Sequence, residues 1–168
     1  MNQQTDMFLP GDVKVWHYAI LESDVSVGDG SVIGSCVFVG RGSKIGKNVH
    51  IQHGAFIARG SVIGDNVFIG PGAKLIEDIW PRSGVPTVDP RPPVLQEHCS
   101  IGAGAVIMPG VTIGKYTMVG AGAVVLEDTS NHCTVYGVPA KSFHTDQVDK
   151  KDNGDEHQDA HHAVVHHA

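Results

Sequence analysis

An all-β fold, a prism of short parallel strands wound as a coil, is what this chain of 168 residues predicts. Three observations carry it. A bulky aliphatic recurs at every sixth position through Val15, Leu21, Val27, Ile33, Val39, Ile45, Ile51, Ile57, Ile63, Ile69 and Leu75, and again through Ile101, Ile107, Ile113, Val119 and Val125. Two residues before each stands a small or β-branched partner such as Val25, Ser31, Val37 or Ala55. Directly after many of them comes glycine, among others Gly28, Gly34, Gly40, Gly46, Gly102 and Gly120. A period of six fits neither a helix nor a hairpin meander; it fits short strands divided by regular bends.

The first run, Val13 to Leu75, supplies strands in which residues two apart share a face, so each hexad turns two side chains inward before it bends. The glycine after the aliphatic is expected to make the bend, because it accepts backbone angles closed to other residues. Three such sides close a triangular prism, which gives about 18 residues per coil and about 4.8 Å between stacked coils. Between Leu75 and Ile101 the period fails, and about 20 residues are expected to leave the coil from Glu77 to Glu97 as one long excursion loop. That loop, EDIWPRSGVPTVDPRPPVLQE, holds five prolines, Trp80, Arg82 and Arg91, which are poor choices for an idle linker. The second run ends at Val125, and EDTSNHCTVYGVPAKSF is expected to cap the last coil and shield its strand edges. Residues 1–145 thus form one domain, and 146–168 read as a disordered, acidic, histidine-rich tail.

The charge of −6 includes −4 from that tail, so the body carries no basic surface for nucleic acid. No apolar run is long enough to cross a bilayer and MNQQTDMFLP has no signal-peptide pattern, so the expectation is a cytoplasmic protein without a membrane partner. The three cysteines have no metal or redox spacing and read as reduced packing thiols, with Cys99 on an inward position.

Function is expected where the repeat is irregular. Stacking each bend on the one three hexads earlier puts Trp16-His17, Gly34-Ser35, Gln52-His53 and Gly70-Pro71 on one edge, with His17 and His53 two coils, about 10 Å, apart. Gln52 replaces the usual glycine and His53 follows it on an edge that faces solvent or another subunit. A histidine there can take a proton from an amine or hydroxyl nucleophile, as acyl transfer requires, or it is a surface residue with no role. His98, His132 and His144 fall at loop or cap positions with no partner in view.

Four segments, VWHYAI, IQHGAFIARGSVIGDNVFIGPGA, EDIWPRS with RPPVL, and IGAGAVIMPGVTIGKYTMVGAGAVV ending in YGVPAK, resemble the hexapeptide-repeat acyltransferases. Within these the chain is similar to the nucleotide-amino-sugar N-acetyltransferases that acetylate a sugar 3-amino group. The resemblance implies a left-handed parallel β-helix, a hand that ordinary crossover rules would not give. It also implies a homotrimer with sites between neighbouring prisms, acetyl-CoA as donor, no required metal, and a UDP- or dTDP-linked amino sugar entering from the loop side. His53 is then the general base, with Gln52, His17, Asp78, Trp80 and Arg82 at the sugar nucleotide, and Ala103, Ala121 and Lys141 along the coenzyme. The chain departs from the family at Gln52-His53-Gly54, where relatives often read Gln-Asn-Asn, at Glu77, where asparagine is common, and at Leu126-Glu127, where Thr-Lys is common. An O-acetyltransferase uses the same base and coenzyme. A zinc-dependent carbonic anhydrase on the same coil needs three converging histidines, and His50 and His53 lack a third. A non-catalytic scaffold has no need of a broken repeat.

Overall fold

The computed structural model describes residues 12–86 and 88–143. The expected tail at 146–168 lies outside them. Among the described residues there are seventeen two-residue strands, Lys14–Val15 through Val124–Val125, followed by two of four residues, Thr134–Gly137 and Ala140–Phe143. They form three parallel faces. The first face stacks Lys14–Val15, Val32–Ile33, His50–Ile51, Phe68–Ile69, Ser100–Ile101 and Met118–Val119; the second runs from Ile20–Leu21 to Val124–Val125 and the third from Ser26–Val27 to Thr112–Ile113. Away from the loop and the cap, partners lie 18 residues apart, as Lys14 with Val32 and Val32 with His50, so one coil is three hexads. The fold is therefore a parallel β-helix, and no helix long and apolar enough to cross a membrane occurs among the described residues.

The sixth-position aliphatics from Val27 to Val125 are at most 5% exposed, each adding about 1.5–3 kcal/mol of burial to the core. Val15, in the same register, is 40% exposed because no described coil lies beneath it. Ser31, Ser43, Ser61 and Thr117 take inward corner positions and are also buried. Their hydroxyls are satisfied by corner backbone: Ser31 Oγ donates to the Gly46 carbonyl at 2.9 Å and accepts from the Val49 amide at 3.0 Å, while Ser61 Oγ donates to Ala58 at 2.7 Å.

The glycine after the aliphatic does not do what the sequence suggests. Gly102 has no left-handed backbone; it is required by contact, since a Cβ there would lie 2.6 Å from the carbonyl carbon and 2.7 Å from the Cα of neighbouring residues Gly120 and Ala121 in the next coil. The left-handed residue comes two positions later, as at Gly104 with φ 65°. Tyr18, Asp24, Cys36, Asn48, Asn66, His98, Tyr116 and His132 fill that same position with φ between 53° and 61°; on the third edge the Asn48–Asn66 hydrogen bond at 3.3 Å and the His98–Tyr116–His132 stack offset the strain.

The excursion is shorter than expected. Val94–Leu95 is a strand of the third face, paired with Val62–Ile63 and Thr112–Ile113, and Leu95 is buried. The loop leaves after Ile76, and its neck closes where the Arg91 amide donates to the Glu77 carbonyl at 2.8 Å. Gln96 and Glu97 belong to the next corner. At the far end, Thr134–Gly137 adds to Met118–Val119 in parallel and then folds back on Ala140–Phe143 antiparallel, a hairpin that lies over the end of the coil. Cys99 and Cys133 are buried thiols, but Cys36 is exposed on a corner, where packing does not account for it.

Candidate functional site

Each corner position forms a column along its edge, held by amides that donate to the carbonyl one coil away. On the edge between the first and second faces these bonds run from Cys36 to His17, Gly54 to Ser35, Gly72 to His53, Gly104 to Pro71 and Gly122 to Ala103, all 2.8–3.1 Å. The column is therefore His17, Ser35, His53, Pro71, Ala103 and Ala121. The sequence alignment of corners holds, and it extends across the loop to both alanines.

His53 is exposed at the tip of this edge, and half-buried Gln52 supports it, its amide donating to Ile69 at 2.8 Å and its carbonyl accepting from Ala55 at 3.4 Å. His17 is exposed two coils away, about 10 Å. Ala103 and Ala121 lie two and three coils to the other side of His53, and both are exposed with only a methyl group to project. The edge then runs into the cap, where a Cβ on Gly120 would meet Cβ of Tyr136 at 2.8 Å and Lys141 pairs with Tyr136 across the hairpin. Histidines, bare corners and a lysine thus follow one another along one line.

Asp78, Trp80 and Arg82 gather elsewhere. They line a cavity of about 450 Å³ within the loop, together with Ile79, Val85, Pro86, Val88, Asp89 and Arg91. The Trp80 amide donates to Asp78 Oδ1 at 2.9 Å, and the Trp80 side chain is 76% exposed at the cavity mouth. Arg82 and Val85 form a short bridge around Gly84. Glu77 at the neck pairs with Arg59 at 3.5 Å, so its carboxylate is compensated. Sequence reasoning missed Asp89 and the apolar Val85 and Val88, since a loop without a period has no register to align.

The cavity and His53 are not brought together within one protomer. The loop springs from the edge between the second and third faces, and the second face, with Phe38 and Phe56 stacked 5.2 Å apart on its outer side, lies between it and His53. A face of six residues spans at most about 20 Å.

Two histidines expected to be alone have a partner. His98 and His132 stack on opposite sides of exposed Tyr116 at 4.7 and 4.8 Å on the third edge. A second cavity of about 330 Å³ lies between Val125–Ser130, including Leu126 and Glu127, and the cap. Among the described residues no cluster of three or more His, Cys, Asp or Glu side chains is placed to hold a metal ion.

The three-faced coil, its hexad core and its broken corners are those of the transferase hexapeptide proteins. Residues 42–77 and 92–127 match the bacterial transferase hexapeptide model, and residues 24–59 match the hexapeptide repeat of succinyl-transferase. The chain belongs to this hexapeptide-repeat family, and its coil is the left-handed parallel β-helix.

Among solved structures it is similar to WeeI from Acinetobacter baumannii AYE, with 29% identity and a TM-score of 0.61 over 80% of this chain and 57% of that one. It thus spans little more than half the length of WeeI. A hexapeptide-repeat acetyltransferase from Vibrio cholerae O1 biovar eltor, solved with acetyl-CoA, is 27% identical with a TM-score of 0.64 over 73% of this chain and 70% of that one. The polySia-specific acetyltransferase NeuO, at 22% identity and a TM-score of 0.65 over 84% and 74%, shares the fold. No curated protein sequence matches the chain.

Proposed function

We propose that the chain is an acetyl-CoA-dependent N-acetyltransferase acting on the amino group, at C3, of a UDP- or dTDP-linked sugar. The observation that carries the reading is the single column holding His53, Ala103 and Ala121, in which a base and two bare corners share one edge. An extended thioester can approach the backbone where corner side chains stop at a methyl group, and Lys141 beyond the end of the edge suits the coenzyme's phosphates. The likeness to the Vibrio cholerae acetyltransferase solved with acetyl-CoA supports that donor.

In the reaction the amine nitrogen forms a bond to the thioester carbonyl carbon while the His53 imidazole takes the nitrogen's proton. The oxyanion is held by a corner amide. The carbon–sulfur bond then breaks, the proton returns to the leaving thiolate, and the products are the acetamide and free CoA. The loop cavity, with Asp78 for a sugar hydroxyl, Arg82 for a phosphate and Trp80 for a flat ring, is the acceptor's site.

The reading includes a homotrimer, which brings its two halves together. The base and the cavity lie on different edges of one prism, and a cyclic ring sets the second edge of one copy against the first edge of the next. The test is thiol release from acetyl-CoA against UDP- and dTDP-linked 3-amino and 4-amino sugars, free sugars and simple alcohols. We expect turnover with a nucleotide 3-amino sugar and a loss of about a hundredfold in His53→Ala with acetyl-CoA binding kept. Turnover with an alcohol alone would make the enzyme an O-acetyltransferase, and unchanged turnover in His53→Ala would remove the base.

A further inference from the structure

All four arginines of the chain sit on the second edge or on the loop that leaves it. The backbone bonds define their places: the Gly60 amide donates to the Arg41 carbonyl at 2.9 Å and the Gly110 amide to the Arg91 carbonyl at 2.7 Å. Pro92, which follows Arg91, packs against Gly60, which follows Arg59. Arg41, Arg59 and Arg91 therefore hold one corner position on three successive coils, about 4.8 Å apart. Each also stands four residues before a buried aliphatic, Ile45, Ile63 or Leu95.

The other edges show what such a column otherwise carries. On the third edge the same position reads Asp29, Lys47, Asp65, then Glu97, Lys115, Asn131, and opposite charges bond along it, as Lys115 Nζ with Glu97 at 2.6 Å. Three like charges in a row repel one another and contribute nothing to the core. Nearby carboxylates answer only part of them: half-buried Glu77 pairs with Arg59 at 3.5 Å and exposed Asp89 with Arg91 at 2.9 Å, and the Glu22 carboxylate accepts from the Arg41 backbone amide at 2.8 Å, while the Arg41 and Arg82 guanidinium groups have no ion pair among the described residues. Arg91 lines the loop cavity beside Arg82 and Trp80, so the column runs straight into it.

We propose that the Arg41–Arg59–Arg91 column, joined by Arg82, binds the diphosphate of the acceptor, with the group it carries entering the cavity beside Trp80. The identity of the acceptor rests on the function proposed above; the anion site does not. Planar guanidinium groups one coil apart can each take one phosphate through paired hydrogen bonds. The arrangement makes Arg41 and Arg59 determinants of specificity for a diphosphate-linked sugar over a free one.

Calorimetric titration of inorganic pyrophosphate, UDP and desulfo-CoA into the intact assembly tests this. In Arg41→Ser/Arg59→Ser, pyrophosphate and UDP should weaken by roughly tenfold for each arginine removed, while desulfo-CoA is unchanged. Lys44→Ser/Lys47→Ser, which removes two exposed charges off the column, should bind all three as the wild type does. Arg41→Lys/Arg59→Lys keeps the charge without the planar fork and should fall between, and it carries the test if the serine pair does not fold. Undiminished pyrophosphate and UDP binding in the serine and lysine pairs would overturn the inference, as would a loss confined to desulfo-CoA. If pyrophosphate and UDP weaken as expected but no nucleotide amino sugar is acetylated, the anion site stands and the acceptor reading fails. If such a sugar is acetylated with an unchanged KM in the serine pair, the reverse holds.

Discussion

Replacing Gly102 with alanine tests whether contact, and not backbone freedom, governs the corners. The added Cβ would stand 2.6 Å from the carbonyl carbon of Gly120, where ordinary contact begins at 3.4 Å. The two coils must then part by roughly 1 Å, which stretches the Gly102 amide bond to Val119, now 2.8 Å, beyond useful length. Overpacking costs about 1–3 kcal/mol and the lost bond about 1 kcal/mol, offset by about 0.5–1 kcal/mol from the stiffer unfolded chain. The net loss is about 1–3.5 kcal/mol, centred above 2. Gly104→Ala is the control, because its φ of 65° is strained but nothing lies within 4 Å of the new methyl, so its net cost is at most about 1.5 kcal/mol. Urea unfolding followed by far-ultraviolet circular dichroism, with equal slopes for both variants, measures the difference. Equal losses, or a larger loss in Gly104→Ala, would refute the contact argument.

Ser31→Ala should cost about 2 kcal/mol, because it strands both the Val49 amide and the Gly46 carbonyl. Ser61→Ala should cost about half as much, since the Ala58 carbonyl keeps the backbone amide of residue 61 at 3.3 Å; identical losses would count against this account of the buried hydroxyls. Burial pushes the Cys99 thiol from an ordinary 9.0 up to about 12. Below about pH 9 both folded and unfolded chains hold the proton and stability is complete; between about 9 and 12 only the unfolded chain ionises, and stability falls by about 1.4 kcal/mol per pH unit. Cys99→Ala should lack that component of the alkaline slope, and a thiol reagent at pH 8 should label Cys36 rapidly and Cys99 only on unfolding. A slope unchanged in the variant would show that Cys99 does not titrate in this way.

The core was legible because a coil repeats one constraint many times, so Ile33, Ile51 and Ile69 announce one another at intervals of 18. Val94–Leu95 escaped notice because its hexad lost both markers, with Pro93 for the small residue and Gln96 for the glycine, although Leu95 stands six before Ile101. Glycine's role was misread for a different reason: the sequence shows where glycine recurs but not whether it answers to φ or to a neighbour's backbone. Arithmetic found the His17–His53 edge, and it also gives the step of 18 from His98 to Tyr116, whose stacking depends on the left-handed corner that sequence does not display. The resemblance supplied Trp80 and Arg82, while the cavity around them depends on how a loop with no repeat folds on itself.

The column that joins His53 to Ala103 and Ala121 makes distance a whole-number quantity. A point substitution can change what stands on a rung but not how far apart the rungs are, because each is bolted to the next by backbone amides. Only gain or loss of an entire coil alters the reach from His53 to the bare corners, and then by about 4.8 Å at once. The loop leaves from another edge and closes its own neck, so it can lengthen, shorten or change its lining without touching that ruler. Such a molecule can revise its loop while the span along its first edge stays constant.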